Sequence, residues 1–283
     1  MDDGDGGKQA ATKILQTSFI AVAFSACQYY KNETALTFSP FKISFIDDAG
    51  KKVEKTLPVK KKSKTIYLTF DDGPNKGTAK VMHIVEEEQI PVTFFIVGEH
   101  VYGSNEQKQV FDSLLQSRYI QIANHSYSHA FHNKFEKFYT LPDSAVKDFL
   151  RCADSLHLTA NIVRTPGRNI WRTSTITSTD IKKSVAAADT IYKKGFTQVG
   201  WDLEWRFTDS LTLKSTGDEM LAQIDSFFTH NKTKTPNHLV LLAHDQVYAD
   251  ARDSLALKDF ITKLKAKDEY NFEPVSKYPG LKN

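Results

Sequence analysis

The sequence predicts an α/β fold, a distorted (β/α)7 barrel with an N-terminal β-hairpin extension. Strand-like and helix-like segments alternate from Thr65 onward, and seven strand-like runs fit a closed or nearly closed barrel. Asp71, His125, Arg164, Asp202 and His244 all stand at or just past the end of such a run. Alternation of this kind implies right-handed βαβ units and a parallel sheet, and in such barrels active sites are built at the strand C-terminal ends.

The elements follow in order. Leu36 to Ile46 and Val53 to Val59 are β-like runs around Asp47-Asp48-Ala49-Gly50, turn residues that predict the hairpin. Ile66 to Phe70 is a β-branched and aromatic strand, Thr78 to Gln89 has helical periodicity, Val92 to Val97 is a second strand and Glu106 to Ser117 a second helix. Strand Tyr119 to Ala123, helix Asp143 to Leu158, strand Asn161 to Arg164, helix Asp180 to Lys194 and strand Phe196 to Trp201 continue the pattern. Helix Asp218 to His230, strand Leu239 to Ala243, helix Arg252 to Lys267 and a strand near Tyr270 to Val275 complete it.

A chain of 283 residues with 40% hydrophobic content buries one substantial core, so one catalytic domain with appendages suffices. The formal charge of +3 is small and the basic residues are not gathered on one helix, which argues against nucleic acid as partner. Lys51, Lys52, Lys55, Lys60, Lys61, Lys62 and Lys64 do crowd one segment, either as a solvated linker and hairpin edge or as an attraction to an anionic cell surface. Cys27 and Cys152 sit in unlike settings, so no disulfide framework is expected.

Ile14 to Ala26 is an apolar stretch after Lys8 and Lys13, shorter than the roughly 20 apolar residues that span a bilayer. Its end, Phe24-Ser25-Ala26-Cys27, resembles a bacterial lipoprotein signal, despite Phe24 and the acidic Asp2, Asp3 and Asp5. The expected organisation is an export signal over 1–27, a tether and hairpin over 28–64 and a catalytic domain over 65–283. The matching expectation is an exported, monomeric bacterial protein of the cell envelope, either a lipoprotein anchored through Cys27 or a periplasmic or extracellular protein, with an ordinary buried helix as the other reading of the stretch.

Two motifs carry the chemistry. Asp71-Asp72-Gly73-Pro74 alone reads as a turn, and His125 and His129 alone read as a pair that caps a loop. Together, after neighbouring strands, they suit a metal, because four-residue spacing puts two imidazoles on one side of a helical turn. One carboxylate and two imidazoles leave positions open for water and substrate, which makes Asp72, His125 and His129 the expected ligands of a divalent ion, most simply zinc, with cobalt or nickel as substitutes. Asp71 is then free to act as the base on a metal-bound water.

These residues resemble the NodB-type polysaccharide deacetylases, carbohydrate esterase family four. Arg164-Thr165-Pro166-Gly167-Arg168, Trp201-Asp202-Leu203-Glu204-Trp205 and Leu241-Leu242-Ala243-His244-Asp245 extend the resemblance, which covers roughly Thr65 to Val275. It implies that Arg164 pairs with the base Asp71, that His244 is the acid that protonates the departing amine, and that the backbone N–H of Gly167 helps hold the oxyanion. Gly167 stands where the family often has an aromatic residue.

The fourth motif departs from the family's Asp-Trp pair, and either Glu204 or Asp202 is the expected partner of His244. Trp205 either walls the pocket or belongs to the core, and Tyr127 is a further substrate-side candidate. The connections Phe131 to Leu141 and Asn169 to Thr179, the latter around Trp171, form either a sugar groove or loops with a private hydrophobic patch. His132 is read as a bystander.

The resemblance implies removal of N-acetyl groups from N-acetylglucosamine-containing polysaccharide, peptidoglycan or chitin-like. Removal of O-acetyl groups from a xylan-type polymer uses the same groups. A barrel that binds glycan without turnover rests on the irregular fourth motif alone.

Overall fold

The computed structural model describes residues 62–281 and, ahead of them, the backbone of two strands. The apolar leader, Cys27 and the tether lie outside the described residues. The chain divides into two compact units, Met1–Val59 and Lys60–Asn283. In the first, β1 (Lys42–Ile46) pairs antiparallel with β2 (Lys52–Thr56) in the register Ile46↔Lys52, while the turn expected at Asp47-Asp48-Ala49-Gly50 lies outside the described residues.

The second unit is a mixed α/β fold around a strongly curled half-barrel. Its strands are β3 (Lys64–Gly73), β4 (Val92–Ile96), β5 (Ile120–Asn124), β6 (Ile162–Val163), β7 (Ile170–Arg172), β8 (Thr177–Thr179), β9 (Thr197–Gln198), β10 (Leu203–Glu204), β11 (His238–His244) and β12 (Tyr270–Phe272). The sheet order is β10-β11-β3-β4-β5-β6-β9-β7-β8, parallel from β10 to β9. Helices 78–88, 105–116, 142–156, 185–193, 217–229 and 251–266 connect the strands, close to their expected positions.

Two corrections to the seven-strand barrel follow. The strand expected over Phe196 to Trp201 shortens to β9, which lies against β6, and a further short strand just beyond it, β10, lies against β11. One chain segment therefore crosses the seam, with Val199 N–H bonded to Val163 and Asp202 N–H to Val240. At the crossing, a Cβ on Gly200 would lie 2.1 Å from the Asn169 side-chain oxygen, so only glycine fits. The seventh expected strand, β12, is off the barrel path; it pairs with Lys64–Ile66 at the start of β3.

Strand alternation separates two apolar clusters and positions the site. Ile66, Leu68 and Phe70 on β3, Phe94 on β4 and Leu239, Leu241 and Ala243 on β11 join the large cluster with the helices. Tyr67, Phe95, Ala123 and Val240 point the other way, into an interior cluster with Trp171 and Tyr278. Successive residues on a strand face opposite sides, so Thr69 and Asp71 share Tyr67's interior face, and His244 shares that of Val240. The connection 169–179 is not a free loop: it forms the β7–β8 hairpin and buries Trp171 in this interior core, against Tyr278 at 5.3 Å.

Candidate metal centre and active site

A bulge at the end of β3 brings two adjacent carboxylates together. The register of β3 on β4 shifts between Asp71 and Gly73, and Asp72 takes φ 76. A bulge re-aims a side chain that alternation would send to the opposite face. Here both carboxylates meet one imidazole: His125 Nε2 lies 3.6 Å from Asp71 Oδ2 and 3.4 Å from Asp72 Oδ1. His100 Nδ1 holds the bulge through the Asp72 carbonyl at 2.8 Å.

The trio Asp72, His125 and His129 fits a metal. His129 Nε2 is 3.1 Å from Asp72 Oδ1, and one donor atom from each residue lies within 4.8 Å of the others. Tetrahedral ligands at zinc distances are about 3.3 Å apart, close to these separations. The outward nitrogens are already engaged: His125 Nδ1 donates to the Arg164 carbonyl at 2.9 Å, and His129 Nδ1 meets the Asn133 side-chain oxygen. Such partners fix the tautomer and leave both Nε2 lone pairs for an ion. Burial pushes the Asp72 carboxyl up, but hydrogen bonds from His125 and His129 overcome this and hold it well below the usual range. Burial pulls His129 down, and its contacts with Asp72 reverse the sign and raise it.

The histidine pair is not carried on the expected right-handed helical turn. His125 directly follows β5, while His129, Ala130, Phe131, His132 and Asn133 all have φ between 46 and 64, a left-handed turn of non-glycine residues. Each costs roughly 1–2 kcal/mol, so the turn needs anchors. Ser126 Oγ accepts from Ala130 N–H and Ser128 Oγ from Phe131 N–H. Asp148, buried on helix 142–156, accepts from both the Ser128 amide and hydroxyl at 3.0–3.1 Å. We expect Asp148→Ala to weaken metal binding about 10- to 100-fold, the range for losing an outer-shell support. Competition against a chromophoric chelator reads it, and unchanged affinity would mean that the turn holds without Asp148.

Arg164 is fully buried inside the barrel rather than paired at the surface. One terminal nitrogen donates to Asp71 Oδ1 at 2.8 Å and to Thr69 Oγ1 at 2.7 Å; the other donates to the Gly200 carbonyl, and Nε donates to the Val199 carbonyl. Phe95 lies under the guanidinium at 4.1 Å. The arginine therefore fixes one oxygen of Asp71 and braces the seam crossing with the same group.

His244 is the register partner of Asp71 across β11 and β3. The structure does not bring either expected carboxylate to it. Both Asp202 oxygens accept backbone N–H groups, from Lys234 at 2.6 Å and Val240 at 2.8 Å, so this residue clamps β11 well before His244. Burial pushes Asp202 up to about 6, against those two bonds. Glu204 faces Arg206 at 3.5 Å. His244 Nδ1 is buried without a hydrogen-bond partner among the described residues, and the ring neighbour there is Phe207 at 5.0 Å.

Of the substrate-side candidates, Trp205 is core: fully buried, it packs on Phe260 at 4.8 Å and donates to the Ser215 carbonyl. Tyr127 is also turned elsewhere, its ring 3.5 Å from the Arg151 guanidinium. Gly167 is exposed at φ 64, and a Cβ there would meet the Phe135 ring at 2.8 Å. His132 is exposed and pairs with Glu99 at 3.1 Å.

The sequence assigned no individual role to Asp148, Asn133, Asp245 or Phe135, although Asp245 stands in the His244 motif and Phe135 in the Phe131 to Leu141 connection. Asp245 is fully buried and accepts from Asn75 and Thr78, tying the Asp-Gly-Pro-Asn turn beneath the carboxylates. Burial pushes Asp245 up to about 7 against those hydrogen bonds, and the charges of Asp72 and Asp71 add to the rise. Asn133 alone carried a local signal, four residues after His129.

Residues 59–193 match the family model described as polysaccharide deacetylase. The chain is 38% identical over 79 residues to the chitin disaccharide deacetylase of Vibrio alginolyticus, covering 26% of this chain and 18% of that one. It is 27% identical over 216 residues to the putative polysaccharide deacetylase YheN of Bacillus subtilis, covering 74% of this chain and 66% of that one. It thus spans less than two thirds of the length of both curated relatives. The solved structure of Bacillus subtilis PdaA, a family 4 carbohydrate esterase, shares the fold with a TM-score of 0.53 at 22% identity, over 75% of this chain and 79% of that one. The chain thus carries, over residues 59–193, a polysaccharide deacetylase domain of the NodB type, on the fold of a family 4 carbohydrate esterase.

Proposed function

We propose that the domain removes N-acetyl groups from N-acetylglucosamine-containing polysaccharide, of the peptidoglycan or chitin type, as a metal-dependent hydrolase. The observation that carries this is the placement of Asp71: one oxygen is fixed by Arg164 while the other faces the His125 side of the Asp72–His125–His129 cluster. Asp72, His125 and His129 would hold a divalent cation, zinc by the donor set, which would lower the pKa of a bound water to about 7. Asp71 Oδ2 would accept a proton from the attacking water, and Arg164 keeps the carboxylate aimed through Oδ1. The Gly167 N–H donates to the oxygen that gains charge as the acetyl carbon becomes tetrahedral. His244, beside Asp71 in register, gives a proton to the departing amine.

Release of O-acetyl groups from a xylan-type polymer is the second reading, favoured by one observation. An amine leaves poorly unless protonated, whereas an alcohol demands less of the acid, and among the described residues no carboxylate bonds His244 Nδ1. Acetate release measured side by side on N-acetylglucosamine oligomers and acetylated xylan decides between them. Chelation is expected to silence both activities and added zinc, cobalt or nickel to restore them; full activity in excess chelator would remove the metal from the proposal.

A further inference from the structure

The ring of Phe135 bridges two parts of the proposed site that come from different elements. It lies at 86° to the His129 imidazole with centroids 5.8 Å apart, and the same ring covers Gly167, where a Cβ would meet three of its atoms at 2.8–3.1 Å. A glycine at 167 is what lets the ring stand there. Phe135 follows directly on the left-handed turn, and its segment is pinned from below: Phe138 and Tyr139 are buried, with Phe138 packed on Phe149 and Tyr139 bonded to the Pro166 carbonyl at 2.6 Å. Phe135 itself is only partly buried, so an apolar face remains open between a metal ligand and the proposed oxyanion donor.

We propose that Phe135 is a specificity-determining residue, the aromatic wall on which the N-acetylated sugar ring lies when its acetyl group enters the site. This rests on the deacetylase reading above. Aromatic faces offer sugar rings apolar contact in water, and binding sites combine such walls with a few fixed polar groups. Tyr127 and Trp205 are both turned away or buried, which leaves Phe135 as the aromatic ring against the cluster among the residues considered for the substrate side.

The test compares wild type, Phe135→Ala and Phe135→Trp with a chitin tetramer, alongside zinc affinity. Phe135→Ala is expected to raise KM about five- to tenfold, the worth of one aromatic contact, with a smaller change in kcat. Phe135→Trp is expected to keep KM near wild type. Titration of the tetramer onto zinc-loaded Asp71→Asn protein, with and without Phe135→Ala, reads the same loss as Kd without turnover. An unchanged Kd overturns the proposal, and so does a loss that tracks weakened zinc binding, which would make the ring only a support for His129. If wild type releases no acetate from the tetramer, the deacetylase reading falls, while the Kd comparison still decides whether Phe135 holds the sugar; absence of any tetramer binding sinks both.

Discussion

Asp71→Asn is expected to lower acetate release by about 10²- to 10⁴-fold, the contribution of a positioned general base, while the protein keeps its metal. The asparagine is nearly isosteric, and its side-chain oxygen can still accept from Arg164, so the interior packing around Thr69 and Phe95 should survive. What it lacks is a second oxygen able to take a proton. The proposed ligands Asp72, His125 and His129 are untouched, and the second nitrogens of the two histidines remain held by Arg164's carbonyl and Asn133. Metal content and acetate release measured on one preparation separate the two roles. Near-wild-type turnover would move the base elsewhere, and loss of metal would make Asp71 a fourth ligand.

The parts of this site legible in the sequence are those written locally. Two carboxylates in tandem, two histidines four apart and an arginine after a short strand all fall at strand ends, and the alternation of strands and helices placed those ends together. Long-range placement was less legible. The partner of a buried imidazole depends on where a segment crosses the seam, and Asp202 was captured by the Lys234 and Val240 amides. No periodicity encodes that choice. The left-handed turn was also hidden, since Ala130, Phe131 and His132 have no intrinsic preference for positive φ; serine hydroxyls and Asp148, distant in sequence, impose it. Trp205 and Trp171 look alike as pocket walls until packing shows both in the core.

Arg164→Met is expected to cost about 3–5 kcal/mol of stability, because it leaves the Asp71 charge buried without its partner. A shift of the urea midpoint at constant slope measures it. Methionine fills much of the volume but none of the hydrogen bonds, so the Val199 and Gly200 carbonyls at the seam also lose their donors. Part of the cost is therefore charge and part is backbone. Adding Asp71→Asn to Arg164→Met removes the charge alone and should return about 1–3 kcal/mol, a coupling of the size seen between directly bonded residues. Strict additivity of the two substitutions would mean that the guanidinium serves the seam and not the carboxylate. Arg164→Lys discriminates further: a single ammonium can still face Asp71, but it cannot also reach both carbonyls in the planar geometry of the guanidinium. That variant should recover stability more than activity, because aiming Asp71 and closing the barrel across Gly200 are tasks that one rigid fork performs together.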